Sequence, residues 1–256
     1  MSGSLGRRCA AELVGTALLV VFGPGSVVAA LTVGGGELDY AGLGMIALSF
    51  GLVVALVIYA FGSTSGAHIN PAVTVVLAVT RRFPWTDVGP YVVAQLLGAL
   101  VGALLLVGAF GTGAVDLGNI GGVAFGDGVG YGQAILAEAL ATFLLMLTIM
   151  ALAVDRRAPG GWAGWLIGLS VTGLVLVFAP LTGAAVNPAR ALGPNAVAAI
   201  FGGDVAWTQF PAYVVGSLLG ALAAAVLYEV LARPGAAEPE EPEVQGTQGE
   251  VTGSRG

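Results

Sequence analysis

Long apolar stretches dominate the pattern of hydrophobic and polar positions along the chain. The apolar stretches cover, roughly, residues 9–32, 41–61, 88–110, 131–154, 162–180 and 208–232. Short polar segments separate them. Each stretch is close to the ~20 residues that an α-helix needs to cross the hydrocarbon core of a bilayer. The first stretch is too long for the apolar part of a signal peptide, so it is interpreted as a retained span. The pattern therefore predicts six membrane-spanning helices.

The charged residues between the stretches indicate which ends share a side of the membrane. All nine basic residues are arginines, and eight of them flank the stretches or lie in the tail: Arg7, Arg8, Arg81, Arg82, Arg156, Arg157, Arg233 and Arg255. The intervening segments carry acids instead: Glu37, Asp39, Asp116, Asp127 and Asp204. Cytoplasmic loops collect basic residues, so the arginine side is predicted to be cytoplasmic. Six spans then give a multi-pass protein of the plasma membrane with both termini in the cytoplasm.

Composition supports the membrane interpretation and narrows the chemistry. Hydrophobic residues make up 57% of the 256 residues and charged residues only 9%, whereas soluble domains carry about 25% charged residues. The single cysteine, Cys9, and the single histidine, His68, exclude an intramolecular disulfide and a multi-histidine or thiolate metal site. We expect no metal and no other cofactor. Residues 1–232 are predicted to form one transmembrane domain, and the acidic segment 233–256 a disordered tail.

The chain repeats itself with an offset of about 120 residues. Three pairs of segments match in the same order, the longest at eight of ten positions: Ala11-Glu12 with Ala137-Glu138, Ser65–Ala72 with Thr182–Ala189, and Tyr91–Leu100 with Tyr213–Leu222. The halves are about 8–120 and 130–232. Each holds three spans, and because three is odd the second half enters from the opposite side. This inverted repeat is the architecture of many channels and transporters.

Each half also contains an apolar segment that is too short to span. One begins at Pro71 and is about ten residues long, and the other runs from Pro188 to about Ile200. An asparagine before a proline is a favoured helix start, so each segment is predicted to be a half-length helix capped by Asn70 or Asn187. Inversion makes the two N-termini meet at the midplane. The preceding extended stretches would expose backbone carbonyls to a pore, at Gly66, Ala67, His68, Gly183 and Ala185.

Over residues 8–232 the sequence resembles the aquaporin, or major intrinsic protein, family. Two Asn-Pro-Ala motifs carry the resemblance, Asn70-Pro71-Ala72 and Asn187-Pro188-Ala189, with Arg190 directly after the second. The resemblance implies an all-α membrane channel domain of six helices and two re-entrant half-helices. It also implies a homotetramer in the lipid bilayer with one pore per subunit. Such a pore passes water or small neutral solutes passively and excludes protons and ions; nucleic acid is not an expected partner.

The resemblance also places a selectivity filter at Phe50, Val175, Ala184 and Arg190. Strict water channels of the family carry a histidine where this chain has Val175, so the filter is expected to be wider and less polar. Glycerol-conducting members pair a tryptophan at position 50 with an aspartate after the arginine, whereas this chain has Phe50 and Ala191. We therefore expect conduction of water, some ammonia and dissolved gases, and weak passage of glycerol; a glycerol or small-polyol facilitator is the alternative. Because Ala184 replaces the cysteine of mercury-sensitive relatives, mercury should inhibit little.

Two acidic residues and the histidine leave other functions open. Glu12 and Glu138 lie inside spans, where an acid is first a functional candidate and could serve a proton-coupled transporter. They occupy equivalent repeat positions, and the resemblance implies that they support the backbone near the half-helices. His68 is expected to pack structurally, with pH sensing as an alternative. The sequence offers no nucleophile–base pair and no phosphate-binding loop, so an enzyme is not expected.

Overall fold

The computed structural model of the protein describes residues 3–232. Their α-helices are α1 Leu5–Val33, α2 Tyr40–Ser65, α3 Pro71–Val79, α4 Trp85–Phe110, α5 Gly113–Asp116, α6 Tyr131–Ile149, α7 Ala163–Thr182, α8 Pro188–Ile200 and α9 Phe210–Leu231. Six of these helices are long and apolar enough to cross a membrane: α1, α2, α4, α6, α7 and α9. The predicted half-helices are α3 and α8. The predicted disordered tail, 233–256, lies outside the described residues.

Several helix ends differ from the sequence prediction. Helix α1 begins at Leu5 rather than near residue 9, because Ser4 caps it by accepting a hydrogen bond from the backbone N–H of Arg7. The predicted fourth span, 131–154, is confirmed as Tyr131–Val154, but its last turn, Met150–Val154, is a π-turn that follows α6 directly. The last span begins with a 3-10 turn, Trp207–Gln209, instead of a regular helix.

The helices are arranged as two equivalent halves related by the repeat. Helix α1 packs against α4 as α6 packs against α9, and α2 crosses α7 between the halves. The crossing occurs at Gly51 and Gly168, which are separated by the same 117 residues as Asn70 and Asn187. A Cβ added at Gly51 would lie 2.6 Å from the carbonyl oxygen of Gly168, and one at Gly168 would lie 2.4 Å from that of Gly51. The two halves of the repeat are therefore in close backbone contact at equivalent positions.

Glycines also permit close approach within each half. A Cβ at Gly98 would lie 2.3 Å from the carbonyl oxygen of Leu13. At the repeat-related position Gly220, it would lie 2.0 Å from the carbonyl oxygen of Ala139. Small residues at helix interfaces allow such packing in a membrane, where van der Waals contact between helices replaces the hydrophobic effect. Gly98 and Gly220 are therefore helix-packing points.

Ion pairs place most of the arginine-rich segments on one face, here called the arginine face. Arg8 in α1 pairs with Asp87 in α4 at 2.7 Å. Arg82, which follows α3, pairs with Glu229 near the end of α9. The first pair joins the starts of α1 and α4, and the second joins the short segment between α3 and α4 to the end of α9, so these arginines lie on the same side of the helices.

Asp155, directly after the π-turn, is the centre of a larger cluster on the arginine face. It accepts hydrogen bonds from the backbone and guanidinium of Arg157 and, at 2.6 Å, from the Tyr228 hydroxyl of α9. The Arg157 guanidinium also donates to the carbonyl of Ala232. These donors, Arg157 foremost, hold the pKa of Asp155 well below its usual range. The cluster ties the end of α6 to the end of α9.

Candidate functional site

The two half-helices begin at capped asparagines. The Asn70 Oδ1 accepts a hydrogen bond from the Ala72 N–H at 2.9 Å, and the Asn187 Oδ1 accepts from the Ala189 N–H at 3.0 Å. Pro71 and Pro188 occupy the first helical positions, where a missing N–H costs nothing. The remaining free N–H groups give each helix start a partial positive charge.

The asparagines also join the halves by reciprocal hydrogen bonds. The Asn70 Nδ2 donates to the carbonyl of Val186 at 2.8 Å, and the Asn187 Nδ2 donates to the carbonyl of Ile69 at 2.7 Å. Each side-chain amide carries two N–H groups. One therefore fixes the opposite loop, and the other remains to donate to a molecule in the space between the helix starts.

The stretches before the half-helices are held in a strained backbone conformation. Ile69 and Val186 have φ of 44° and 47°, and Ala67 and Ala184 have φ of 48° and 44°. Positive φ is a genuine outlier for β-branched residues. Such strain persists only when the surroundings enforce it.

Two fully buried glutamates enforce that conformation. Glu12 accepts hydrogen bonds from the backbone N–H groups of His68 and Ile69, at 3.0 and 2.6 Å. Glu138 accepts from the N–H groups of Ala185 and Val186, at 2.9 and 2.7 Å. Each carboxylate also accepts from the hydroxyl that ends the preceding helix, Ser65 for Glu12 and Thr182 for Glu138. Both carboxylates thus face several donors and bind the re-entrant loops.

A cavity of about 460 Å³ runs past the asparagines. All four residues predicted for the filter border it: Phe50, Val175, Ala184 and Arg190. So do Asn70, Asn187 and four of the five residues expected to expose backbone: Gly66, Ala67, His68 and Ala185. The fifth, Gly183, ends α7 and is not among the residues that border this cavity; a Cβ added there would meet Val123.

Arg190 lies deep in the wall of this cavity. It is only 3% exposed, and its guanidinium carbon lies 5.2 Å from the centroid of the Phe50 ring. Among the residues that the structure describes, its Nε and Nη1 have no hydrogen-bond partner. Both nitrogen atoms are themselves buried, and buried donors without a partner are rare in folded proteins. The Val175 and Ala184 side chains beside them are apolar, so the guanidinium supplies the polar contact.

The repeat places an apolar ring in the other half of the cavity. The repeat offset of 117 residues relates each proposed filter residue to a position in the other half. These four positions also border the cavity: Ile58 for Val175, Ala67 for Ala184, Val73 for Arg190 and Ile167 for Phe50. None of these carries a polar side chain. The two halves therefore have equivalent backbone arrangements but different side chains. Only one set of equivalent positions carries the charge of Arg190 and the aromatic ring of Phe50.

Sequence reasoning missed a polar network around Glu12. The Gln95 Nε2 donates to Glu12 at 2.8 Å and to the Thr74 hydroxyl at 3.0 Å. The Thr74 hydroxyl lies 3.2 Å from the His68 Nδ1 and donates to the Asn70 carbonyl. With its own hydrogen so used, that hydroxyl accepts from His68, which assigns the imidazole proton to Nδ1. The packing expected for His68 is supplied by Thr74 and by the rings of Phe83 and Tyr91.

A second missed residue, Asn195, anchors the loop before α6. Its side chain accepts from the Val123 N–H at 2.9 Å and donates to the Val123 carbonyl at 3.0 Å. This pairing fastens the loop that follows α5 to the half-helix α8. A lone asparagine within an apolar half-helix is the signal that could have indicated it, because a buried amide needs partners.

Comparison with known proteins decides the family. A family model described as Major intrinsic protein matches residues 2–228. The chain is a member of the major intrinsic protein family. The resemblance drawn from the paired Asn-Pro-Ala motifs is confirmed. So is the expectation that the chain is not an enzyme, because its relatives are aquaporins.

Among the relatives of this major intrinsic protein are archaeal ones. It is 47% identical to the probable aquaporin AqpM of Archaeoglobus fulgidus, over 91% of this chain and 100% of the relative. It is 44% identical to aquaporin AqpM of Methanothermobacter marburgensis, over 89% of this chain and 98% of the relative.

A solved structure supports the architecture. The aquaglyceroporin from Plasmodium falciparum matches with a TM-score of 0.81 and 25% identity, over 90% of this chain and 98% of that chain. The predicted fold of six membrane-spanning helices and two half-helices in an inverted repeat is thereby confirmed.

Proposed function

We propose that this chain is a passive membrane channel that conducts water and some small neutral molecules, such as ammonia and dissolved gases, and excludes protons and ions. The observation that carries the proposal is the meeting of two helix N-termini in one cavity, each capped by an asparagine with one N–H group left to donate. The family assignment supports the same class of function.

The geometry supplies a route for water without any titratable group that changes charge. A water oxygen accepts from Asn70 and Asn187, and exposed backbone carbonyls of the re-entrant loops accept the water hydrogens. The positive ends of α3 and α8 orient passing molecules at the centre and repel cations. An ion would also lose most of its hydration shell, which the largely apolar wall of the cavity does not replace.

Phe50, Val175, Ala184 and Arg190 are proposed to form the selectivity filter. The guanidinium of Arg190, which borders the cavity, would donate to a passing solute, and its charge would repel cations. The wall opposite is apolar, which favours small neutral molecules over strongly hydrated ones. Glycerol should pass weakly; a facilitator for glycerol or other small polyols is the second candidate, favoured by the structural similarity to the aquaglyceroporin from Plasmodium falciparum.

A proton-coupled transporter would need a carboxylate that exchanges its proton during transport. Glu12 and Glu138 are fully buried and each accepts at least three hydrogen bonds, mostly from loop backbone. Protonation of either would break contacts that hold the loops. We therefore assign both to structural support of the pore.

The assembly and placement proposed for the chain follow from its family and its charges. We propose a homotetramer with one pore per subunit, in the plasma membrane, with both termini and the arginine face in the cytoplasm. The face assignment rests on the preference of basic loops for the cytoplasmic side.

Osmotic shrinkage of proteoliposomes tests the function. Purified protein should accelerate water efflux by stopped-flow light scattering with a low activation energy, and pH or sodium gradients should not alter the flux. Glycerol efflux should be much slower than water efflux. Glycerol flux comparable to water flux would favour the facilitator instead.

Mercury inhibition of the Ala184→Cys variant, compared with that of the unaltered channel, tests whether the cavity is the pathway for water. Mercury should block this variant, because the new thiol lies in the cavity wall, and should affect the unaltered channel little, because its one cysteine, Cys9, lies in α1 and outside that wall. Strong mercury block of the unaltered channel would contradict the assignment of the pore.

A further inference from the structure

Gly23 of α1 lies directly against the ring of Phe50. A Cβ added at Gly23 would approach three ring atoms of Phe50, Cε1, Cδ1 and Cζ, at 2.4, 2.7 and 2.8 Å. Contacts under 3.0 Å are not tolerated, so the ring occupies the space that a side chain at position 23 would need. The missing side chain thus creates a slot for the ring.

The opposite side of the ring faces the cavity. Phe50 borders the cavity, and the guanidinium carbon of Arg190 lies 5.2 Å from its centroid. The ring is therefore held between the backbone of α1 and the cation of the proposed filter. A ring displaced from the slot would move toward Arg190 and reduce the opening between them.

The other half of the molecule shows the alternative arrangement. The offset of 126 that relates Glu12 to Glu138 takes Gly23 to Ile149, and the offset of 117 takes Phe50 to Ile167. Both isoleucines border the cavity. The second half thus has an isoleucine in place of the aromatic residue and another isoleucine in place of the glycine.

We propose that Gly23 is a specificity-determining position, which sets how far Phe50 projects into the filter and thereby the size of the largest neutral solute that passes. The inference rests on the proposed function, because it takes Phe50 as a wall of the filter. Gly23 itself acts through the ring and touches no solute.

The Gly23→Ala variant tests the proposal. The new methyl should push the ring by about 1 Å, from 2.4 Å to an ordinary contact of 3.4 Å or more. Permeability is measured in proteoliposomes for water, formamide, urea and glycerol. The permeability of the largest solute that the unaltered channel passes should fall, relative to that of water, by about tenfold, the scale on which one methylene discriminates in an apolar pocket.

Gly25→Ala is the matched control. It adds the same methyl two residues later on the same helix, and that methyl would meet Leu106 at 2.7 Å, a residue that does not border the cavity. The control should leave unchanged the permeability ratio, which is the permeability of the largest solute divided by that of water. The double variant Gly23→Ala/Phe50→Leu should have the same ratio as Phe50→Leu alone, because no ring remains to be displaced.

The outcomes separate the two proposals. If Phe50→Leu raises the ratio but Gly23→Ala leaves it unchanged, the role of Gly23 is overturned and the filter stands. If Phe50→Leu also has no effect, the filter assignment itself fails. If Gly23→Ala does not fold, recovery of folding by Phe50→Leu supports the slot, and failure to recover overturns it.

Discussion

At the scale of single residues, the two buried glutamates show how a pore can be lined with backbone. The loop before each half-helix turns polar groups toward the cavity, and its own N–H groups must find partners elsewhere. Glu12 and Glu138 supply those partners from the neighbouring helices α1 and α6. The carboxylates thereby satisfy loop N–H groups without using any loop carbonyl.

Replacing Glu138 by Gln should therefore destabilise the channel. The substitution puts an NH₂ group against donors that now meet an oxygen, and a buried donor left unsatisfied costs about 1–3 kcal/mol. Glu12→Gln should cost more, because Gln95 adds a further donor to that carboxylate. Thermal unfolding in detergent, followed by tryptophan fluorescence, measures both. Unchanged melting temperatures would exclude the supporting role.

At this scale the resemblance to the family predicts positions at a fixed spacing from the two motifs, and their role as a filter stays a prediction. Phe50, Val175, Ala184 and Arg190 are reached by counting from the asparagines, and all four border the cavity. Gln95 and Gly23 could not be found in this way. Gln95 meets Glu12 across 83 residues, and nothing in a glycine-rich sequence distinguishes the glycine under the ring from its neighbours.

At the scale of secondary-structure elements, the end of α6 differs most from the prediction. A regular helix over 131–154 was expected, but the last turn widens into the π-turn, where the Asp155 N–H donates to the Met150 carbonyl. Apolar periodicity does not report which carbonyl an N–H selects, so the turn was not predictable. Its position is secured by the cluster of Asp155, Arg157 and Tyr228.

The Asp155→Asn variant should show the pH dependence of that cluster. Because folding lowers the pKa of Asp155, its contribution to stability is complete above the ordinary value near 4 and is lost as the pH falls through the lowered value. The melting temperature of the variant should thus lie below that of the unaltered protein from pH 8 to 5. The difference should shrink only below about pH 4.

Asp127→Asn serves as the control for this measurement. Asp127 is exposed in the loop before α6, and its replacement should change the melting temperature little. A difference for Asp155→Asn that disappeared already between pH 7 and 5 would contradict the lowered pKa.

At the scale of the whole molecule, stability depends on how closely the two halves approach. The backbones of α2 and α7 approach each other closely at Gly51 and Gly168. The inverted repeat predicted that the halves are related, because three segments match in order. It did not predict where they touch, since that depends on helix crossing geometry that the sequence pattern does not encode.

Gly51→Ala and Gly168→Ala should both lower the melting temperature, by an amount that corresponds to about 1–3 kcal/mol of overpacking. Each methyl meets the carbonyl oxygen of the partner glycine, and the methyl at position 51 also meets the Thr172 hydroxyl, so Gly51→Ala should have the larger effect. Gly173→Ala is the control: it lies on α7 with no atom within 4 Å of the added methyl. It should be neutral or stabilise by about 0.5–1 kcal/mol. Equal melting temperatures for all three variants would refute the close crossing.

The reciprocal asparagine contacts have a consequence for biosynthesis. Asn70 and Val186 are 116 residues apart, and Asn187 and Ile69 are 118 apart. At a translation rate of ~5–20 residues per second, the first re-entrant loop waits roughly 6–24 s for its partner. Throughout that interval Glu12 can already hold the loop, whereas the Asn70 amide and the Ile69 carbonyl lack the groups that later bind them. The nascent first half must therefore be kept hydrated or shielded at the insertion site until the second half arrives.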